Sequence, residues 1–369
     1  GLSAAVANAS GVVWTGTAGL ADLKTNAPVE PEMLFGIGSI TKTFAAVVIL
    51  QLAEEGLLDL QATVSSVLGP AVDRIPNART ATITQLLNHT GGIPSWEDDP
   101  DWIRDGRGDR LVPTRVWGKT ETLPYIEGHE PLAPAGEKYS YANTNYTLLG
   151  MVIEKLTGND AVAEIHRRIL DPLGLTEIRL EGFEPVPAAQ LATRYHWATP
   201  TFQRTAGVNA AFPEVRPGLI DASASNLSVE WTAGGMVASA RDLARYGAAL
   251  RDGQLLEPES MAFLTKWSPA GPNSQVGHNV FRSQYPDGSA VIGHSGDVLG
   301  YTGALYWVEG ADAVVAVVAN VGSMHSTSAG TGTAPADQVP GTAYLVARKK
   351  EFIDLATRVA AARAGSSAR

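Results

Sequence analysis

The sequence predicts an α+β fold, an antiparallel sheet flanked by helices and joined to a second, mostly helical lobe. Three observations predict it. Strand-like runs stand at both ends of the chain, in "LSAAVANASGVVWTGTAG" and again from "QVGHNVFR" to "DAVVAVVANVG". The stretch between them reads as helices joined by Gly/Pro-rich loops. The late strands follow one another through short turns, Pro286-Asp287-Gly288 and Gly310-Ala311-Asp312, as antiparallel neighbours do. Both ends therefore build one sheet, residues 1–58 plus 232–369, and residues 59–231 form the helical lobe. The cleft between the lobes is the expected site.

The elements follow in order. The first run is a hairpin turning at Asn8 to Gly11. A helix is expected from Ser39 to Leu57, with Phe44, Val47, Val48, Leu50 and Leu52 on a broad apolar face. "TITQLLNHTGG" is a short helix with Thr82 and Gln85 as a capping box. "NYTLLGMVIEKLTG" and "DAVAEIHRRILDPLG" are two more, each stopped by glycine. "SARDLARYGAALRDG" is a bounded helix before the late strands "QVGHNVFR", "SAVIGHSG", "YTGALYWVEG" and "DAVVAVVANVG". "HSTSAGTGTAPADQVPG" reads as a mobile loop, and "TAYLVARKKEFIDLATRVAAARAG" as a final amphipathic helix.

Composition excludes several classes. With 369 residues, 44% hydrophobic, the chain can bury a large core. Its net charge is −10 and no basic block interrupts it, which argues against nucleic acid as a partner. No apolar run is long enough to span a membrane, and the start at Gly-Leu-Ser is not signal-like. Cysteine is absent, which removes disulfides, thiol nucleophiles and thiolate metal sites. No H-E-x-x-H and no paired histidines at metal spacing appear, which argues against a zinc hydrolase. No serine lies in a Gly-x-Ser-x-Gly elbow, since Asp297 stands where the last glycine would be after Ser295.

Three short constellations carry chemistry. In "FGIGSITKTF", Ser39 and Lys42 are three apart and share a helix face. A serine in the first turn faces backbone N–H groups that favour negative charge, and a buried lysine can become a neutral base. The plain alternative is a helix cap with a solvated lysine. In "YSYANTNY", Tyr141 and Asn143 point the same way if the segment is extended; a polar turn before a helix explains them equally well. In "IGHSGDVLGYTG", Gly296 lets a substrate lie along the strand and Ser295 can bond to it, while His294 by itself reads as a core or turn histidine.

In this order the three motifs resemble the serine penicillin-recognising family of class C β-lactamases, soluble DD-carboxypeptidases and related esterases. The family's S-x-x-K, Y-x-N and K-T-G or H-T-G read here as "SITK", "YAN" and "HSG". "LLNHTGGIP" and "AGGMVASARDLARYGAAL" resemble its other landmarks. The chain departs from the pattern at the third motif, with His for Lys and Ser for Thr, and at Gly91, where a serine is common. A helix that usually precedes the first strand has no counterpart, which leaves open what covers that side of the sheet.

The resemblance implies a β-lactamase/transpeptidase-like fold and a serine hydrolase working through an acyl-enzyme. Ser39 is then the nucleophile. Lys42 and Tyr141 share acid and base work, Asn143 holds Lys42 and the acyl amide, and His294 orients Tyr141 and adds positive potential. The Ser39 and Asp297 N–H groups form the oxyanion hole. Ser295 and Gly296 line the substrate strand, and Arg282 grips a substrate carboxylate unless it is a surface arginine. Trp231 walls the cleft or packs in the core. "PSWEDDPDWIRDGRGDR" with Trp117 forms a lid or a solvated acidic loop. The substrate is expected to be a small molecule or peptide, cleaved at amide bonds of D-Ala type or in β-lactams. A carboxylesterase on small acyl esters is the alternative, and a non-hydrolytic penicillin-binding sensor a third reading. The resemblance implies no metal and no cofactor, and an exported or periplasmic protein.

Overall fold

Eight strands form the main antiparallel sheet, and both ends of the chain contribute to them. The computed structural model describes residues 1–327 and 349–366, with side chains to 362. The strands are β1 (Leu2–Asn8), β2 (Gly11–Ala18), β3 (Ser268–Gly271), β4 (Ser274–Val276), β5 (Phe281–Gln284), β6 (Ala290–Val298), β7 (Tyr301–Val308) and β8 (Val314–Ala319). Their order across the sheet is β3-β4-β5-β6-β7-β8-β1-β2. The N-terminal hairpin docks on the last strand, Leu2 opposite Ala319 through Ala7 opposite Val314. Asn8 ends β1. Its Oδ1 accepts the Ser10 N–H at 2.9 Å, which makes the turn. The fold class is the one the sequence predicts.

β8, "VVAVVA", is buried throughout. Its β-branched residues suit a central strand covered on both faces. Alternate residues serve two cores. Val314, Ala316 and Val318 join the main cluster. Val315 and Val317 join a second cluster with Ala4, Val6, Ile353, Ala356 and Ala360. The four longest helices among the described residues are α1 (Thr41–Glu54), α2 (Asn143–Thr157), α3 (Ala240–Arg251) and α4 (Lys350–Ser366). α3 packs on the main-cluster face, and α4 covers the other. Asn8 Nδ2 donates to the Ala360 carbonyl at 2.9 Å, tying α4 to β1. α4 therefore covers the side of the sheet that the sequence left open.

The middle stretch contains strands that no periodicity announced: Ile178–Leu180, Tyr195–Trp197, Glu214–Arg216 and Leu219–Asp221. Each is three residues long, too short to show an alternation. Ile178–Leu180 joins Met236–Ala238 and Phe35–Gly36 in a small sheet. That sheet ties the middle stretch of the chain to the residues just before Ser39. The expected boundary at 231/232 falls inside the short helix Trp231–Gly234. "QVGHNVFR" is not one strand: β4 and β5 flank a link that includes Gly277 to Val280. The loop expected after His325 and the start of the expected final helix fall mostly on 328–348, outside the described residues.

Candidate active site

Ser39 stands where the small sheet hands the chain to α1. The Ile37 N–H donates to the Met236 carbonyl at 2.9 Å. A 3₁₀ turn, Gly38–Ile40, then runs into α1. Gly38 has φ +51°, and a Cβ there would lie 2.7 Å from Asp297 N. Left-handed backbone and close approach both call for glycine. Ser39 is half-buried at the head of the helix, where backbone N–H groups favour negative charge.

Lys42 is not solvated. It is fully buried, and its Nζ lies 2.9 Å from Ser39 Oγ and 2.6 Å from the Ala233 carbonyl oxygen. Burial pushes its pKa down to about 7, against the pull of Glu97 and Glu230. A neutral amine has one lone pair and two N–H groups. The Ala233 carbonyl can take one N–H, and the Ser39 O–H can face the lone pair.

Tyr141 lies beside this pair. Lys42 Nζ is 5.1 Å from its ring centre, and the His294 ring is 6.3 Å away. Burial raises the phenol well above its ordinary 10, and the adjacent Ser39 hydroxyl only partly offsets that. The hydroxyl closes no hydrogen bond of normal geometry, although Ser39 is near enough to act on its charge. It is a protonated group facing the nucleophile.

His89 holds the tyrosine, and the sequence reading did not single it out. Its ring stacks on Tyr141 at 4.2 Å and 27°. Its carbonyl accepts the Ser140 N–H at 2.8 Å, and its Nδ1 accepts the Ala142 N–H at 3.2 Å. The three contacts clamp both neighbours of Tyr141 and the ring itself. Burial, then Lys42 and His294, keep His89 well below its ordinary 6.5 and neutral.

Asn143 is buried, but its Nδ2 donates to Glu97 Oε2 rather than to Lys42. Its Oδ1 has no partner among the described residues. The expected hold on Lys42 is thus replaced by the Ala233 carbonyl. Glu97 lies in the segment read as a lid. It and Arg107, from the same segment, are 2% and 1% exposed. Both belong to a buried ion cluster with Glu230.

On β6, His294 is neutral. Burial first, then Lys42, pushes its pKa down to about 3, and its Nδ1 donates to the Ser295 carbonyl at 2.5 Å. The expected positive potential is therefore absent near neutral pH. Gly296 is forced: a Cβ there would stand 1.9 Å from Ile37 O and 2.8 Å from Ser39 N. Gly38 and Gly296 together let the backbones at Ser39 and Asp297 approach closely. Ser295 is half-buried on the same strand, opposite Ala304. The Asp297 carboxylate turns to Ser323, accepting from its N–H at 3.0 Å and its hydroxyl at 2.5 Å. Burial pushes this carboxyl up to about 7.

Two expected substrate contacts are corrected. Arg282 lies opposite Ile292 in the β5–β6 pair, and its guanidinium grips Glu309, Nε to Oε1 at 2.9 Å and Nη2 to Oε2 at 2.7 Å. Its Nη1 donates to Gln275 Oε1 at 3.3 Å. A bidentate partner already fills the fork that a substrate carboxylate needs. Trp231 is 1% exposed and packs on α2, its ring 2.7 Å from where a Cβ on Gly150 would be. It walls no open cleft. Its backbone sits at φ +40°, rare for a bulky residue, between Glu230 and the turn that presents the Ala233 carbonyl.

Among the described residues no cluster of three or more His, Asp or Glu could hold a metal, and no helix is long and apolar enough to cross a membrane.

Comparison with known proteins bears on this arrangement. Residues 1–362 match the family described as Beta-lactamase. Esterase EstB of Burkholderia gladioli is 28% identical over 294 residues, 75% of this chain and 72% of that protein. Penicillin-binding protein 4 of Amycolatopsis lactamdurans is 36% identical over 169 residues, 45% of this chain but 39% of that protein. Among solved structures, a D-stereospecific amidohydrolase from Streptomyces sp. superposes with a TM-score of 0.74 at 30% identity, covering 87% of this chain and 89% of that one. A D-amino acid amidase from Ochrobactrum anthropi SV3 gives 0.76 at 25% identity, covering 87% of each chain.

Proposed function

The chain belongs to the Beta-lactamase family and is a serine hydrolase of the β-lactamase and penicillin-binding type; within that class we propose that it cleaves the amide bond of small D-amino-acid derivatives whose far end is uncharged, with esters of similar size as a second substrate class. The observation that carries the acyl-transfer reading is the 2.9 Å contact of Ser39 Oγ with the buried Lys42 amine. Neutral Lys42 takes the Ser39 proton as Oγ attacks the carbonyl carbon. The Ser39 and Asp297 N–H groups receive the developing oxyanion. Tyr141 gives its proton to the leaving nitrogen and regains one from the Lys42 ammonium. Water then attacks the ester on Ser39 by the reverse proton path, and acid is released.

Two features support an uncharged substrate end. His294 is neutral, and Arg282 is occupied by Glu309. The preference for D-amides rests on the relatives whose names state it, and on a protonated Tyr141, since an amine leaves only when protonated. The esterase relative supports the second class.

A panel of D- and L-phenylalaninamide, a D-Ala-D-Ala peptide, a chromogenic cephalosporin and a nitrophenyl ester tests this. D-Phenylalaninamide should be cleaved with at least about tenfold higher kcat/KM than the carboxylate-ended peptide, the worth of one missing charge-assisted contact. Arg282→Ala should leave both rates unchanged. A preference for the free carboxylate that disappears in Arg282→Ala would overturn the proposal.

The pH dependence follows from the same groups. The base must be unprotonated, and Lys42 loses its proton near 7. Below that value kcat/KM should fall about tenfold per pH unit. Tyr141 should impose no alkaline limb below about pH 10, because burial keeps it protonated. A pH–rate profile that is flat across pH 7, or that falls in mild base, would contradict this.

A further inference from the structure

Behind Lys42 lies an ion cluster that no motif announces. Arg107 Nη2 stands 2.8 Å from Glu97 Oε1 and 2.6 Å from Glu230 Oε1. Arg107 is 1% exposed and each glutamate 2%. The approach to Glu230 is close but poorly aligned, so Oε1 of that residue has an ion pair without a well-formed hydrogen bond. Arg107 also lies 5.2 Å from the Trp102 ring centre and 3.2 Å from Met324 Sδ. It comes from the residue after the short helix Pro100–Gly106, Glu97 from the turn before that helix, and Glu230 from the turn before the Ala233 carbonyl. The cluster therefore ties one segment, through Glu97 and Arg107, to the turn that presents the Ala233 carbonyl.

Glu230 precedes the short helix Trp231–Gly234, whose Ala233 carbonyl lies 2.6 Å from Lys42 Nζ, and Glu97 accepts from Asn143 Nδ2. The other titratable groups around the amine are Tyr141, Tyr146, His89 and His294, and all four are neutral near pH 7. Glu97 and Glu230 both pull Lys42 toward its charged form. Burial pushes the Glu230 carboxyl up to about 7, with Arg107 and Lys42 pulling it down; left ionised without a cation, two carboxylates in so dry a place would hold the ammonium and leave no base. Arg107 is the cation that opposes them.

We propose that Arg107 is a positioning residue for catalysis: clamped between Glu97 and Glu230, it offsets two carboxylates that would otherwise keep Lys42 protonated, and so sets the pH range in which Ser39 can be activated. The inference rests on Lys42 being the base for Ser39.

The test is the pH profile of kcat/KM for a neutral nitrophenyl ester, from about pH 5 to about pH 10. In Glu230→Gln one opposing carboxylate is lost and the shape is kept. The acid limb should move down by about one pH unit, a roughly tenfold gain on that side. In Arg107→Gln it should move up by a similar amount, with rate recovered at higher pH. Arg107→Lys keeps the charge and should restore a limb close to wild type. If Arg107→Gln does not fold, Glu230→Gln and Arg107→Lys decide the matter, each checked by circular dichroism. Folded variants whose limb does not move, or moves the same way in Glu230→Gln and Arg107→Gln, would overturn the proposal. A wild-type profile with no acid limb near 7 would instead overturn the role of Lys42.

Discussion

Lys42→Arg should be nearly as inactive as Lys42→Ala, with acylation slowed by about 10²- to 10⁴-fold in both. Arginine keeps the positive charge and much of the length, so a purely electrostatic lysine would tolerate it. It cannot give up its proton at working pH and so cannot act as the base. The site is also tight, with Nζ 2.6 Å from the Ala233 carbonyl oxygen, and leaves little room for a guanidinium fork. Pre-steady-state release of nitrophenol from an activated ester measures acylation directly. Near-normal acylation in Lys42→Arg would show that charge alone is needed there.

Ser39→Ala should abolish turnover, by about 10⁴-fold or more, while the protein stays folded. The Ser39 side chain makes no helix-capping bond; its hydrogen-bond partner is Lys42. Losing that one contact should change stability by only about 1 kcal/mol. Thermal unfolding beside the kinetic assay separates the two effects. Residual activity near wild type would place the nucleophile elsewhere.

Much of this site was legible because its parts lie in short local patterns. Ser39 with Lys42 is a matter of helix spacing, and His294 to Asp297 lie along one strand. Residues whose role depends on tertiary placement were not legible. Glu97 and Arg107 stand in "PSWEDDPDWIRDGRGDR", which reads as a lid or a solvated acidic loop, yet both are buried. Two tryptophans beside the acids, Trp96 and Trp102, were the available sign of burial; both are fully covered. His89 lay within a landmark stretch, but its stacking on Tyr141 joins residues 52 positions apart, and no sequence period reports that. For Arg282 the sequence leaves a substrate grip and a surface residue both open, because its partner, Glu309, is distant in sequence. For the fold, the long strands and helices showed their periods, and the three-residue strands that fix the chain before Ser39 did not.

Peptide mapping after reaction with a fluorophosphonate identifies the nucleophile directly. One adduct is expected, on Ser39, formed faster as pH rises through about 7 and absent in Ser39→Ala. An adduct on any other serine, or labelling that persists in Ser39→Ala, would contradict this.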